Sequence, residues 1–398
     1  MKIMKMLFFS DPLKAIALIT ALVLLACGLL VTMVERQEVP FIDGYVVTWP
    51  WLAVAVVIAW LGSRLTPWLV CWPWVGAGLA IFAFLAPIVV GITPVDLTTR
   101  EFRSISLGSL GIHWGYGYRL EPGYLGILFL VPLLVALSAR VQATNLARWV
   151  VLHAVVLWLV ATLALGLGNR DFAGLLLGAG LVCALLARPR GLALGLQVSL
   201  LAMVLAWSGF LTLITPRPDP YSSGFCLATE DWLETLPRTW QGAGWWGFPP
   251  TTTKWDTSRG ISEQMADILL APAELRLPFN PDYLINATAQ LYGWSGVVLV
   301  TGVILLHLWA LARLAGRARG PTRTVERWTG WVYASIAALM AALSLLTSAG
   351  WLSWPWPSVP FPWLSAAKDV NTLFAMAWLC GGVFGLAKLP PADAVNQG

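Results

Sequence analysis

PWPSVPFPWLS, Pro355 to Ser365, lies between two long apolar runs, 328–350 and 370–387, and its reading decides the fold. Proline lacks an N–H and fixes its φ angle, so four prolines in eleven residues exclude a membrane helix here. Irregular backbone beside a bilayer is tolerated only where protein or water satisfies its polar groups. The stretch is therefore expected to fold against other spans and to shape the mouth of a cavity.

The rest of the chain supplies those spans. Its 398 residues are 58% hydrophobic and 11% charged, far from the soluble average. A helix needs about 20 apolar residues to cross the hydrocarbon. Such runs lie near 13–34, 46–63, 68–92, 122–139, 147–167, 172–187, 192–214, 283–312, 328–350 and 370–387. The expected fold is an all-α polytopic membrane protein of about ten transmembrane helices, one integral membrane domain over 1–398. The sixth run is short and the eighth long, which predicts tilt or partial burial. Outer loops are expected at 93–121, 215–281 and 351–369; the long one, 215–281 between spans seven and eight, is rich in Pro and Trp and reads as a lid.

Lys and Arg set the orientation. With the N-terminus inside, Lys2, Lys5, Lys14, Arg64, Arg140, Arg148, Arg188 and Arg190 fall inside, and the 313–327 loop adds five arginines. Of the 20 acidic residues only Asp11, Glu326 and Asp393 fall on that side. Both termini are expected in the cytoplasm. The net charge of +5 thus reads as topology and not as a nucleic-acid surface. Cys27, Cys71, Cys183 and Cys380 lie in apolar runs, which leaves Cys226 outside without a disulfide partner. Leu24 to Cys27 resembles a lipoprotein cleavage box, but apolar sequence continues to Val34, as in an uncleaved span. His113, His153 and His307 are scattered, and HExxH, CxxC and phosphate-loop patterns are absent. Nothing here argues for a nucleotide or a tightly held transition metal.

The chemistry falls on the outer face. Arg100, Glu101 and Arg103 could pair at the membrane surface or be solvated loop charges. Asp171 follows Asn169 and Arg170 and opens the sixth span, as a helix N-cap or as a substrate contact. Asp282 follows Pro281 and opens the eighth. It too could be a cap. A carboxylate at the rim of an apolar cavity is also desolvated, which raises its pKa and makes it a better proton acceptor. Asn286 and Gln290 follow at four-residue steps, so a continuous helix would carry all three on one face. Polar stripes in membrane helices face protein or water. Trp232, Trp240, Trp245, Trp246 and Trp255 in the long loop suit an interfacial belt, or a sugar or polyprenyl surface.

Four segments, in order, resemble the SEDS family (shape, elongation, division and sporulation; the RodA and FtsW proteins). Arg103-Ser104-Ile105-Ser106-Leu107-Gly108, then Glu121-Pro122-Gly123, resembles the family's RWISLG…QPSE stretch. Arg170-Asp171-Phe172 resembles its PDLGT turn, and Pro281-Asp282-Tyr283-Leu284 with Gly293 its TDFIF…ELG stretch. Pro355 to Ser365 resembles its PxxGxPLPFxS stretch. The chain departs from the pattern at Ser104, at Gly123-Tyr124, at Ile127, at Gln290 and from Ala366 to Val370.

The resemblance implies a multi-pass protein of the bacterial inner membrane that polymerises a lipid-linked glycan at the outer leaflet, foremost the peptidoglycan precursor lipid II. It would serve cell-wall synthesis, cell shape or division with a class B penicillin-binding-protein-like partner. Asp282 falls on the family's essential aspartate, as base for the acceptor hydroxyl or to steer a cation or substrate. No fixed cofactor is implied, although a divalent cation is compatible with that role. Arg103 would bind the donor diphosphate, and Asp171, Asn286, Gln290, Pro360 and Ser365 would line the substrate path. A precursor flippase or transporter, a non-catalytic scaffold of this fold, and an O-antigen ligase or polymerase are the competing readings.

Overall fold

The computed structural model describes residues 11–38, 49–90, 105–106, 119–166, 170–214, 244–246, 284–318, 324–349, 351, 359–367 and 369–387. They form helices α1 (Pro12–Glu38), α2 (Trp49–Cys71), α3 (Pro73–Val90), α4 (Gly123–Thr144), α5 (Ala147–Gly166), α6 (Arg170–Ala187), α7 (Leu192–Ile214), α8 (Leu284–Ala315), α9 (Thr324–Ser348) and α10 (Val370–Leu386). A two-residue hairpin, β1 (Ile105–Ser106) and β2 (Arg119–Leu120), precedes α4. Among the described residues, seven helices are long and apolar enough to cross a membrane, and shorter apolar helices occupy α3, α6 and α10. The architecture is that of an all-helical, multi-pass membrane protein.

Two expected boundaries change. The second span was expected to end near 63 and the third to begin near 68. Instead α2 continues through Arg64 and Pro67 to Cys71, and the chain turns at Trp72. Pro67 removes one helical hydrogen bond, and membrane helices tolerate this where a neighbour covers the freed carbonyl. The carbonyl four residues back is that of Ser63. Gly385 of α10 lies so close that a Cβ there would sit 2.2 Å from the Ser63 oxygen. The turn comes where Pro73 can take the first helical position of α3. The length of the eighth span, which predicts tilt or partial burial, has a local origin: Gly293 breaks α8, with φ 64° and ψ −162°, and residues 285–289 before the break are buried.

α10 is buried along its whole length, from Val370 to Leu386. A helix apolar on every face belongs in the middle of a bundle. Gly381 meets the Ala59 carbonyl, and Gly62 of α2 meets the Trp378 carbonyl, so glycines let the two backbones approach. α9 closes on α4 through a second proline. Pro132 leaves the Leu128 carbonyl without its helical donor. The Tyr333 hydroxyl donates to that carbonyl at 2.9 Å, and Tyr333 is fully buried. At the arginine-rich end Asp11 caps α1, accepting from the Leu13 N–H at 3.0 Å, and pairs with Arg317 just after α8. Asn145 there exchanges two hydrogen bonds with the Arg190 backbone, at 2.9 and 3.2 Å. The opposite end of the bundle holds the described parts of the four segments singled out in the sequence.

Candidate functional site

The hairpin brings the two halves of the first segment together. Ile105 pairs with Leu120 and Ser106 with Arg119. Arg103 lies outside the described residues, two positions before β1. Just past β2, the Glu121 N–H donates to Asn371 Oδ1 at 2.7 Å, tying the hairpin to the first turn of α10. Gly123 then seats Phe172: a Cβ on Gly123 would fall 2.3 Å from the ring. Tyr124 meets the same ring edge-on, with centroids 4.5 Å apart. Two departures from the family pattern thus serve one contact, which joins the first segment to the turn at Asp171. Asp171 itself is the second residue of α6, inside the first helical turn.

The Pro-rich segment enters the protein interior. Residues 359–367, including Pro360, are all buried, as the backbone argument required. The segment satisfies itself locally. The Phe361 N–H donates to Ser365 Oγ at 3.0 Å, and the Ser365 N–H returns to the Phe361 carbonyl at 3.0 Å. Ser365 is 0% exposed, so its hydroxyl shapes the turn from inside. Gly28 of α1 makes room for it: a Cβ there would lie 2.1 Å from the Leu364 carbonyl. Asp369 then caps α10, accepting from the Asn371 and Thr372 N–H groups at 3.0 and 2.9 Å. Asp369 and Asn371, which sequence reading passed over, therefore join the Pro-rich segment to the hairpin.

The remaining segment is the broken helix. Asp282 lies outside the described residues, two positions before Leu284. Residues 285–289 are buried without a break, and Tyr292, next to the break, is exposed. A Cβ on Gly296 would lie 3.3 Å from Thr288 Cγ2 and 2.6 Å from Tyr292 Cβ. In a straight helix residues 288 and 296 would stand about 12 Å apart. The half-helix therefore folds back on the span that follows it. The break frees the Trp294 and Ser295 N–H groups, which donate to the Gly244 and Trp245 carbonyls at 2.9 and 3.2 Å. That is the described contribution of the long loop. Asn286 Nδ2 donates to the Ser348 carbonyl at 3.1 Å, closing the end of α9, while its buried Oδ1 has no partner among the described residues. Gln290 lies on the same half-helix, one turn further on.

A cleft of about 710 Å³ lies at the other end of the bundle, lined by Val70, Trp72, Trp74, Arg140 and Thr324 among others. It shares no residue with the four segments and is a groove between helix ends. Among the described residues no three His, Cys, Asp or Glu side chains gather as a metal site.

A central buried helix, a helix broken at glycine and an irregular segment folded into the bundle define a class of polytopic membrane protein with one elaborated end. Comparison with solved structures makes the class particular: the chain has the RodA fold. It superposes on a chain of a peptidoglycan synthase complex that coordinates polymerization and crosslinking, with TM-score 0.56 and 18% identity over 94% of this chain and 96% of that one. It is also similar to the rod shape determining protein RodA of Thermus thermophilus, in an aspartate-to-alanine mutant, with TM-score 0.54 and 16% identity over the same shares. No family model and no curated protein matches the sequence.

Proposed function

We propose that the chain is a divergent SEDS protein, a membrane glycosyltransferase that polymerises a lipid-linked glycan, foremost lipid II, at the outer leaflet of the bacterial inner membrane. The observation that carries this reading is convergence. The hairpin with Glu121, the turn at Asp171, the half-helix after Asp282 and the Pro-rich segment belong to separate parts of the sequence. The Glu121–Asn371 bond, the Phe172 ring on Gly123 and the Asp369 cap join the hairpin, the start of α6 and the Pro-rich segment, and the half-helix starts from the same end of the bundle, opposite the arginine-rich loops. The positive-inside rule puts that end outside and both termini in the cytoplasm.

Asp282 then acts at the entry to the buried half-helix, where a carboxylate can take the proton of the acceptor hydroxyl. Arg103, next to the hairpin, holds the donor diphosphate, for which a guanidinium fork is suited. Asn286, Gln290, Pro360 and Ser365 shape the walls that orient the sugar. The partner is a class B penicillin-binding-protein-like transpeptidase that crosslinks the product. A second reading, a scaffold of the same fold, draws on one observation. Where the chain departs from the family pattern, Ile127, Ala366 and Ala367 are fully packed.

Purified protein, reconstituted with and without its partner and supplied with lipid II, separates the two. Glycan strands visible on a gel support the enzyme. Partner binding with no strands from any lipid-linked glycan supports the scaffold.

A further inference from the structure

The Pro-rich segment is held by one buried imidazole. His307 lies on α8, 0% exposed, about 12 Å from the arginine-rich end of that helix by its rise per residue. Its Nε2 accepts from the Trp363 indole N–H at 3.1 Å. Indole is only a donor, so Nε2 carries no proton and Nδ1 does. That proton faces two oxygens of α1, the Ala17 carbonyl and Thr20 Oγ1, each at 3.0 Å. Thr20 can accept it, because its own hydroxyl points back to the Ile16 carbonyl at 2.8 Å. Cys380 Sγ of α10 lies 3.7 Å from Nε2. One ring therefore touches α1, α8, α10 and the Pro-rich segment, with every ring nitrogen used.

Trp363 shows the consequence. Its φ is 60°, in the left-handed region that a bulky side chain rarely enters. Such backbone persists only where the surroundings over-determine it. The surroundings here are the indole's bond to His307 and the seat of Leu364 on Gly28. Thr20 lies eight residues before Gly28, about two helical turns down α1. The indole and imidazole together cover that depth.

We infer that His307 is a positioning residue: it latches Trp363 and so fixes the Pro-rich segment as one wall of the outer site. The latch stands on geometry alone; its effect on catalysis rests on the proposed glycan polymerisation. Substitutions can separate its two halves. His307→Gln places an amide near the Nε2 position, where its oxygen can still accept from Trp363. His307→Asn places its amide near Nδ1, keeping the α1 contact and losing Trp363. Trp363→Phe removes the donor and leaves His307 intact.

The readout is the rate at which a Cys introduced at Val359, 1% exposed in the folded protein, reacts with a membrane-impermeant maleimide. The background carries Cys71→Ser and Cys226→Ser. Loss of one buried hydrogen bond should raise the rate roughly tenfold in His307→Asn and in Trp363→Phe, with His307→Gln near wild type. Polymerisation turnover should fall in the same two variants at equal folded protein and recover with Gln. Unchanged labelling in His307→Asn and Trp363→Phe, or Gln behaving like Asn, overturns the latch. If the labelling pattern holds while wild type makes no polymer, the latch stands and the enzymatic reading fails. Trp363→Phe keeps the test decisive if the His307 variants do not fold.

Discussion

Gly293→Ala is the most informative change to the scaffold of the site. At φ 64° and ψ −162° the backbone is in a region that only glycine occupies freely. Holding alanine there costs on the order of 1–3 kcal/mol. The alternative is to straighten α8, and the structure shows what that gives up. Thr288 would leave Gly296, Asn286 would release the Ser348 carbonyl, and the Gly244 and Trp245 carbonyls would lose their donors. The Asn286 bond alone is worth about 1 kcal/mol net. Either route therefore destabilises by at least about 1 kcal/mol. Gly302 is the internal control: it lies in the same helix, and a Cβ there would meet nothing within 4 Å. Alanine at that position should stabilise by about 0.5–1 kcal/mol through helix propensity. Thermal unfolding in one detergent should therefore rank Gly302→Ala at or above wild type and Gly293→Ala clearly below. Equal midpoints for the two variants would mean that the break is not maintained, and the account of the half-helix would be wrong.

Three further outcomes are expected. Tyr333→Phe should cost about 1–3 kcal/mol by leaving the buried Leu128 carbonyl without a donor, and much less in a Pro132→Ala background, where the helix supplies its own N–H; equal costs in both backgrounds would refute the coupling. Gly123→Ala should destabilise by about 1–3 kcal/mol, because its Cβ would overlap the buried Phe172 ring, and Phe172→Leu in the same chain should recover part of the loss in an unfolding assay. External maleimide should reach a Cys at Ser258 and miss one at Leu146, an exposed position in the α4–α5 turn; the reverse pattern would invert the orientation.

The spans were legible because crossing a bilayer demands long apolar helices, and a stretch such as 192–214 can be nothing else. The Pro-rich segment was legible for the converse reason, since its prolines forbid a helix. The joints were not. Pro67 looks like a span boundary, yet whether a helix survives proline depends on what covers the freed carbonyl, here Gly385 from a distant part of the sequence. The break at Gly293 has the same character: one glycine in an apolar run gives no local sign that the next turn folds back. Asn371 and Asp369 read as the ordinary start of a span, and only the Glu121 N–H shows that they join two motifs. His307 was set aside as one of three scattered histidines, because its partners at Thr20, Trp363 and Cys380 are brought together only by the fold. Of the candidate residues, Asn286, Pro360 and Ser365 turn out to be buried, so their influence on a substrate runs through the shape of the wall.

The central claim is that Asp282 performs chemistry at the convergent end. Asn caps a helix about as well as Asp, so Asp282→Asn should leave insertion and folding intact. A general base contributes roughly 100- to 10,000-fold in rate. Glycan polymerisation from lipid II, measured for wild type and Asp282→Asn at matched folded concentration with the partner present, should therefore be nearly abolished in the variant. A variant that keeps more than about a third of an active wild type's rate, far above what loss of a base allows, would make Asp282 a helix cap and contradict the account.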